Sequence, residues 1–117
     1  MSLHRQELGK TGEDLAVDAL ASRGYAILDR RYRTRHGEID IVARDGETIV
    51  FVEVKAKDTA EFGSAAEAVD ARKQRRIASM AVDYLARNRL TKRPCRFDVV
   101  AIDGAVLTYY KGAFVAE

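Results

Sequence analysis

One cysteine, one proline and no tryptophan occur among the 117 residues. Cys95 alone cannot close an internal disulfide, and a Cys-rich zinc site is excluded. No apolar run exceeds four residues, as in Ile49 to Val52, so no segment reaches the roughly 20 residues a membrane-spanning helix needs. The first ten residues, MSLHRQELGK, hold no apolar stretch of signal-peptide length. A cytoplasmic location with no membrane partner is therefore expected. Excess charge of one sign is also missing: 20 Lys+Arg against 18 Asp+Glu give +2. With 47% hydrophobic and 32% charged residues, the composition is that of a folded protein rather than a disordered one. The length suits a single domain, residues 1–117.

The small net charge conceals segregation. Residues 30–36, RRYRTRH, hold four arginines and no acid. Residues 37–70 hold nine acids against three bases, and residues 71–96 nine bases against one acid. Basic clusters of this density attract polyanions, whose phosphates supply most non-specific affinity. Arg30, Arg31, Arg33, Arg35, Arg72, Lys73, Arg75 and Arg76 are the expected nucleic-acid contacts. The plainer alternative is a solvated, solubilising face.

Periodicity sets the element order. Leu8, Leu15, Ala16, Ala19 and Leu20 predict a helix over about 7–23, with Thr11 and Asp14 as an internal cap and Gly24 as its stop. Strands are expected at 25–32, 38–43 and 48–56, with a turn at Asp45-Gly46. Ser64-x-x-Glu67 has the capping-box pattern. Asp70 is placed to cap a helix to about Arg89, whose apolar face is Ile77, Met80, Ala81, Tyr84 and Leu85. Two strands follow, 97–102 and 106–110. The order α-β-β-β-α-β-β predicts an α/β fold with a mixed central sheet of about five strands and helices on its faces.

Strand 48–56 is apolar on both faces except at Glu53 and Lys55, which share one face. In 38–43, Asp40 interrupts Ile39 and Ile41. Carboxylates in such surroundings are costly unless paired or bound to a metal. A two-residue turn at Asp45-Gly46 gives opposite residues a sum of 91 and puts Asp40 diagonal to Glu53. A four-residue loop gives 93 and sets the two acids directly opposite. Either register gathers Asp40, Glu53 and Lys55 on one face, at separations from which two carboxylates can chelate a cation. A three-residue loop without a bulge would separate them. The chemistry that fits is phosphodiester hydrolysis: Mg²⁺ or Mn²⁺ held by Asp40, Glu53 and the Val54 carbonyl, with Lys55 positioning water. The alternative is a hairpin with one charged solvent face. Asp98 also sits in an apolar strand and reads as structural, as does Cys95. His4 and His36 read as surface residues. Tyr109-Tyr110 reads as edge-strand packing rather than a base-stacking pair.

The strings GEIDIVARDGETIVFVEVKAK (37–57), FGSAAEAVDARKQRR (62–76) and FDVVAI (97–102), with Gly12-Glu13, resemble the uncharacterised bacterial YraN-like family. That family is similar to archaeal Holliday-junction resolvases of the restriction-endonuclease-like PD-(D/E)xK superfamily. The resemblance implies a single restriction-endonuclease-like domain with Asp40 and Glu53-Val54-Lys55 as its motif, Ile39 standing where proline often precedes the first acid. It implies a metal-dependent endonuclease acting on DNA, branched DNA included, in recombination or repair. It adds Glu13 as a further catalytic carboxylate, and Gln74 as a helix residue near the site, with a solvated position as its alternative. Glu38 is the runner-up ligand. A resolvase makes two symmetric cuts, so a homodimer is expected; no small-molecule cofactor is. The alternative is a nucleic-acid-binding module that keeps the fold without the chemistry.

Overall fold

The computed structural model describes residues 11–57, 69–104 and 106–115. The expected helix start before residue 11, the 58–63 loop and the Ser64/Glu67 capping box lie outside them. The chain runs α1 (Gly12–Ser22), β1 (Ala26–Thr34), β2 (Gly37–Asp45), β3 (Thr48–Lys57), α2 (Ala71–Arg87), β4 (Cys95–Asp103) and β5 (Val106–Phe114). This is the order read from periodicity. The strands form one sheet in sequence order. It is antiparallel except between β3 and β4, which are parallel. That parallel step needs a crossover, which the segment containing α2 supplies. No described helix is long and apolar enough to cross a membrane.

Local chemistry accounts for the helix ends. Thr11 Oγ1 accepts from Asp14 N at 3.1 Å and Asp14 Oδ2 accepts from Thr11 N at 3.1 Å. This reciprocal capping box fixes the start of α1. Asp70 Oδ1 accepts from Lys73 N at 2.9 Å and starts α2. The helix stops at Arg87, two residues before the expected Arg89, where Arg89 turns left-handed at φ 57°.

Each helix covers one side of the sheet. Ala16 and Leu20 of α1 pack on Ile41, Ala43, Val50, Val52, Val100 and Ile102. On the other side Ile77, Met80, Ala81 and Tyr84 of α2 pack on Ile39, Val42, Ile49, Phe51, Phe97 and Val99. The result is a three-layer α/β/α sandwich with β3 at its centre.

The β2–β3 register is 93, with Ile41 opposite Val52 and Asp45 opposite Thr48. The two-residue turn is Gly46-Glu47, one residue later than the expected Asp45-Gly46. The first central residue, Gly46, has φ 60°, while Glu47 has no positive φ. This is the type II′ pattern, which asks for glycine first. Arg96 Nη1, 2.8 Å from Asp45 Oδ2, ties the Asp45 side chain to β4 at the end of its strand. At the other edge, β5 runs on to Phe114 instead of stopping at Tyr110. A bulge at Gly112, φ 61°, lets pairing resume at Phe97–Phe114.

Candidate functional site

Strict alternation fails where β1 and β2 pass Arg31 and Asp40. Ile39 and Val42 both belong to the α2-side core, and Ile41 to the α1 side. Two residues, not one, therefore separate Ile39 from Val42. On β1, Asp29 and Tyr32 also reach α2 residues, and between them Arg31 takes φ 54°. The register places Arg31 across from Asp40, between the pairs Arg30–Ile41 and Tyr32–Ile39. Both strands thus slip one step at the same level. The β2–β3 pairing ends there, at Ile41–Val52.

The slip frees Asp40 from the pleat. Val54 N–H points toward β2, where continued pairing would offer it main chain. Asp40 Oδ2 accepts it instead, at 2.7 Å. Glu53, only 7% exposed, stands beside Asp40 within hydrogen-bonding reach. Burial, then the Glu53 charge, pushes the Asp40 carboxyl up to about 7. Two carboxylates confined together with little solvent resist joint ionisation. Such a pair is stabilised by a cation.

The donor set matches a hard divalent ion: two carboxylates and, next in chain, the Val54 carbonyl, all oxygen. Among the described residues no third Asp, Glu, His or Cys joins the pair in a group able to hold a metal. Mg²⁺ commonly keeps several waters and uses one or two protein carboxylates, so the residues present fit it.

The remaining expected site residues differ in their partners. Lys55, half-buried, follows Glu53 on the α2 side by alternation and has no hydrogen bond or ion pair among the described residues. Gly12 brings the first turn of α1 against β3 and β4: a Cβ there would lie 3.4 Å from Ile102 Cδ1 and 3.7 Å from Val54 Cγ1. Glu13, expected as an added catalytic carboxylate, has both oxygens on arginines: Oε1 on Arg30 at 2.8 Å and Oε2 on Arg31 at 3.0 Å. Of these arginines, Arg31 lies across from Asp40 by strand register. Glu38, the runner-up ligand, pairs with Arg33 at 3.1 Å. Gln74 turns back to the chain and donates to Val69 O at 3.0 Å.

Lys73 departs from the basic surface it was grouped with. Its Nζ forms an ion pair with Glu53 Oε2, and the side chains are 26% and 8% exposed. Position alone hid this, because Lys73 lies in the run ARKQRR with exposed Arg72, Arg75 and Arg76 around it. Three of the four arginines of 30–36 are likewise engaged by Glu13, Asp14 or Glu38. Arg35 is not. With His36, Arg87 and Asp83 it lines an open depression of about 440 Å³ between the β1–β2 turn and α2. Cys95 is exposed at the start of β4, and Tyr109 is packed against Asp98.

A family model described as uncharacterised protein family UPF0102 matches residues 12–102. A UPF0102 protein of Geobacter metallireducens is 51% identical over 102 residues, covering 87% of this chain and 84% of the relative. One of Moorella thermoacetica is 48% identical over 102 residues, covering 87% and 85%. A third, of Ralstonia pickettii, is 47% identical over 110 residues, covering 91% and 88%. The matched span runs from α1 to the next-to-last residue of β4, and holds Glu13, Asp40, Glu53, Lys55 and Lys73. The chain belongs to uncharacterised protein family UPF0102, the YraN-like family.

Proposed function

We propose that this protein is a divalent-metal-dependent endonuclease acting on nucleic acid, DNA in the first place and branched DNA among its forms. The observation that carries the reading is the placement of Asp40 beside Glu53 where the β2–β3 ladder ends, with Lys55 following on the strand. Asp40, Glu53 and the Val54 carbonyl would hold Mg²⁺ or Mn²⁺. When bound, the ion would shield charge at phosphorus and lower the pKa of an attacking water. Val54 N–H fixes the Asp40 carboxylate. Lys55, with no acidic partner among the described residues, is available to orient that water or to neutralise developing charge. Arg72, Arg75 and Arg76 on α2 and Arg35 at the β1–β2 turn would track the phosphates. Resolution of a junction would need a second copy related by symmetry.

The test is a cleavage panel of duplex, flap, four-way junction, single-stranded DNA and RNA, with Mg²⁺, Mn²⁺ or chelator. Wild type is expected to cut at least one substrate only with metal, and Lys55→Ala to lose on the order of 10²-fold in rate. No cutting of any substrate overturns the reading. Equal residual cutting by wild type and Lys55→Ala assigns it to a contaminant.

The ion pair of Lys73 with Glu53, which supplies the acidic pair with a cation from the chain itself, favours a second reading, a nucleic-acid-binding module without the chemistry. It predicts salt-sensitive binding unaccompanied by metal-dependent cleavage. Both readings place phosphates on arginines that have no ion pair among the described residues. Substituting Arg72, Arg75 and Arg76 together with glutamine should flatten the slope of log K against log salt by about 0.9 per lost contact. Replacing Arg30 and Arg31, already held by Glu13 and Asp14, should change it less. Fluorescence anisotropy across a salt series measures both slopes, and equal slopes for the two sets would refute this assignment.

A further inference from the structure

We infer that Lys73 is the resident counter-cation of the Asp40–Glu53 pair, and that a divalent ion enters by displacing its ammonium from Glu53. This rests on the reading of the pair as a metal site. Three observations support it. The ammonium is already on Glu53 Oε2, the side chains being 26% and 8% exposed. Lys55, the other lysine of the centre, has no such partner among the described residues. The start of α2 is pinned from below: Asp70 Oδ1 holds Lys73 N at 2.9 Å, Gln74 Nε2 holds Val69 O at 3.0 Å, and Gln74 N bonds Asp70 O at 2.9 Å.

An ammonium is a compact cation with three donors, so it occupies the kind of space a hard metal ion takes. It brings one positive charge to two carboxyl groups, whereas a divalent ion brings two. The two cations cannot both bind the same Glu53 oxygen. At about 4 Å their repulsion is comparable with any single contact in the site. The helix start is fixed, so Lys73 leaves by swinging its four-carbon stem, not by moving α2. Its neighbours on the helix are Arg72, Arg75 and Arg76. Once released, Lys73 joins that surface, so metal occupancy adds one cation to the face presented to phosphate. The coupling is reciprocal: bound polyanion should favour metal entry by the same factor.

The experiment uses Mn²⁺ alone as the probe and does not depend on cleavage. Pulse acetylation of lysines, read by peptide mass spectrometry, should show Lys73 modified at least about threefold faster with saturating Mn²⁺. Lys111, on β5, should be unchanged. Calorimetry should show Lys73→Gln binding Mn²⁺ roughly tenfold tighter than wild type, the effect of removing one competing charge. In Glu53→Gln, Lys73 should label fast with or without Mn²⁺, which keeps the test valid if Lys73→Gln folds poorly. Wild type that binds Mn²⁺ while Lys73 labelling stays constant, or Lys73→Gln that binds no tighter, overturns the displacement and leaves the metal site standing. No Mn²⁺ binding by either protein overturns both.

Discussion

Asp40→Asn is expected to make the metal-free protein more stable at pH 8 while removing its response to metal. The Asp40 carboxyl is raised from the ordinary 3.8 to about 7, first by burial and then by the Glu53 charge. A carboxyl with a raised folded pKa holds a proton that the unfolded chain gives up more readily. Below pH 3.8 it is protonated in both states and costs nothing. Between pH 3.8 and 7 stability falls as pH rises, and above 7 the full cost of the ionised group is present. At complete burial that gap would amount to roughly 4 kcal/mol. Solvent that still reaches Asp40 reduces it to about 2 kcal/mol. Asparagine carries no charge and can still accept from Val54 N–H. Denaturant unfolding in chelator should therefore show Asp40→Asn about 2 kcal/mol above wild type at pH 8, and no gain at pH 4. Saturating Mg²⁺ should stabilise wild type and leave the variant unchanged, and metal-dependent cleavage should fall by 10²–10³ or more. A variant no more stable than wild type at pH 8 would mean that the pair is already neutralised within the protein. The expected stabilisation of a substitution that abolishes chemistry is the usual mark of a strained functional centre.

Asp40, Glu53 and Lys55 were legible in the sequence because each breaks an apolar strand, and charge in a two-sided strand needs an explanation. The helix faces, the five strands and the capping box at Thr11 followed from periodicity and cap chemistry in the same way. The register was recoverable only as one of two values, because the choice between a turn at Asp45-Gly46 and one at Gly46-Glu47 depends on which residue takes positive φ. The way Asp40 meets Glu53 was not legible. Counting opposite residues assumes unbroken alternation, and the slip at Arg31 and Asp40 breaks it through a left-handed arginine, which leaves no compositional trace. The partners of Glu13 and Lys73 were hidden for a different reason. Glu13 is 17 and 18 residues from the arginines that hold it, and Lys73 is further still from Glu53. Contacts of that range are set by how helices lie on the sheet. A basic helix turn reads as a solvated face until something acidic is shown beneath it.

Asp98 interrupts an apolar strand just as Asp40 does, yet the opposite outcome is expected of it: Asp98→Ala should destabilise the protein by about 3–5 kcal/mol and leave metal binding intact in the molecules that fold. Asp98 is fully buried, and both its oxygens are committed. Oδ1 takes Arg96 Nε at 3.0 Å and Gly112 N at 2.8 Å; Oδ2 takes Arg96 Nη2 at 3.2 Å and the Tyr109 hydroxyl. Burial, then the hydrogen bond to Asp98, holds the Tyr109 phenol well above its ordinary pKa, so it remains a donor. Arg96 goes on to Asp45 at 2.8 Å, which ties the β2–β3 hairpin to β4 and β5. Removing the carboxylate leaves a guanidinium, a phenol and a main-chain N–H without their acceptor, and total stability is only on the order of 5–15 kcal/mol. Where every lone pair meets a donor, a buried acid holds strands together. Where it faces another acid, as at Asp40, its ionisation is costly. Replacing the pair by Arg96→Met with Asp98→Leu should recover much of the loss, because it removes both charges instead of stranding one. Urea denaturation of the single and double variants decides the matter. A single variant within 1 kcal/mol of wild type, or a double variant worse than the single, would show that the network contributes little to the fold.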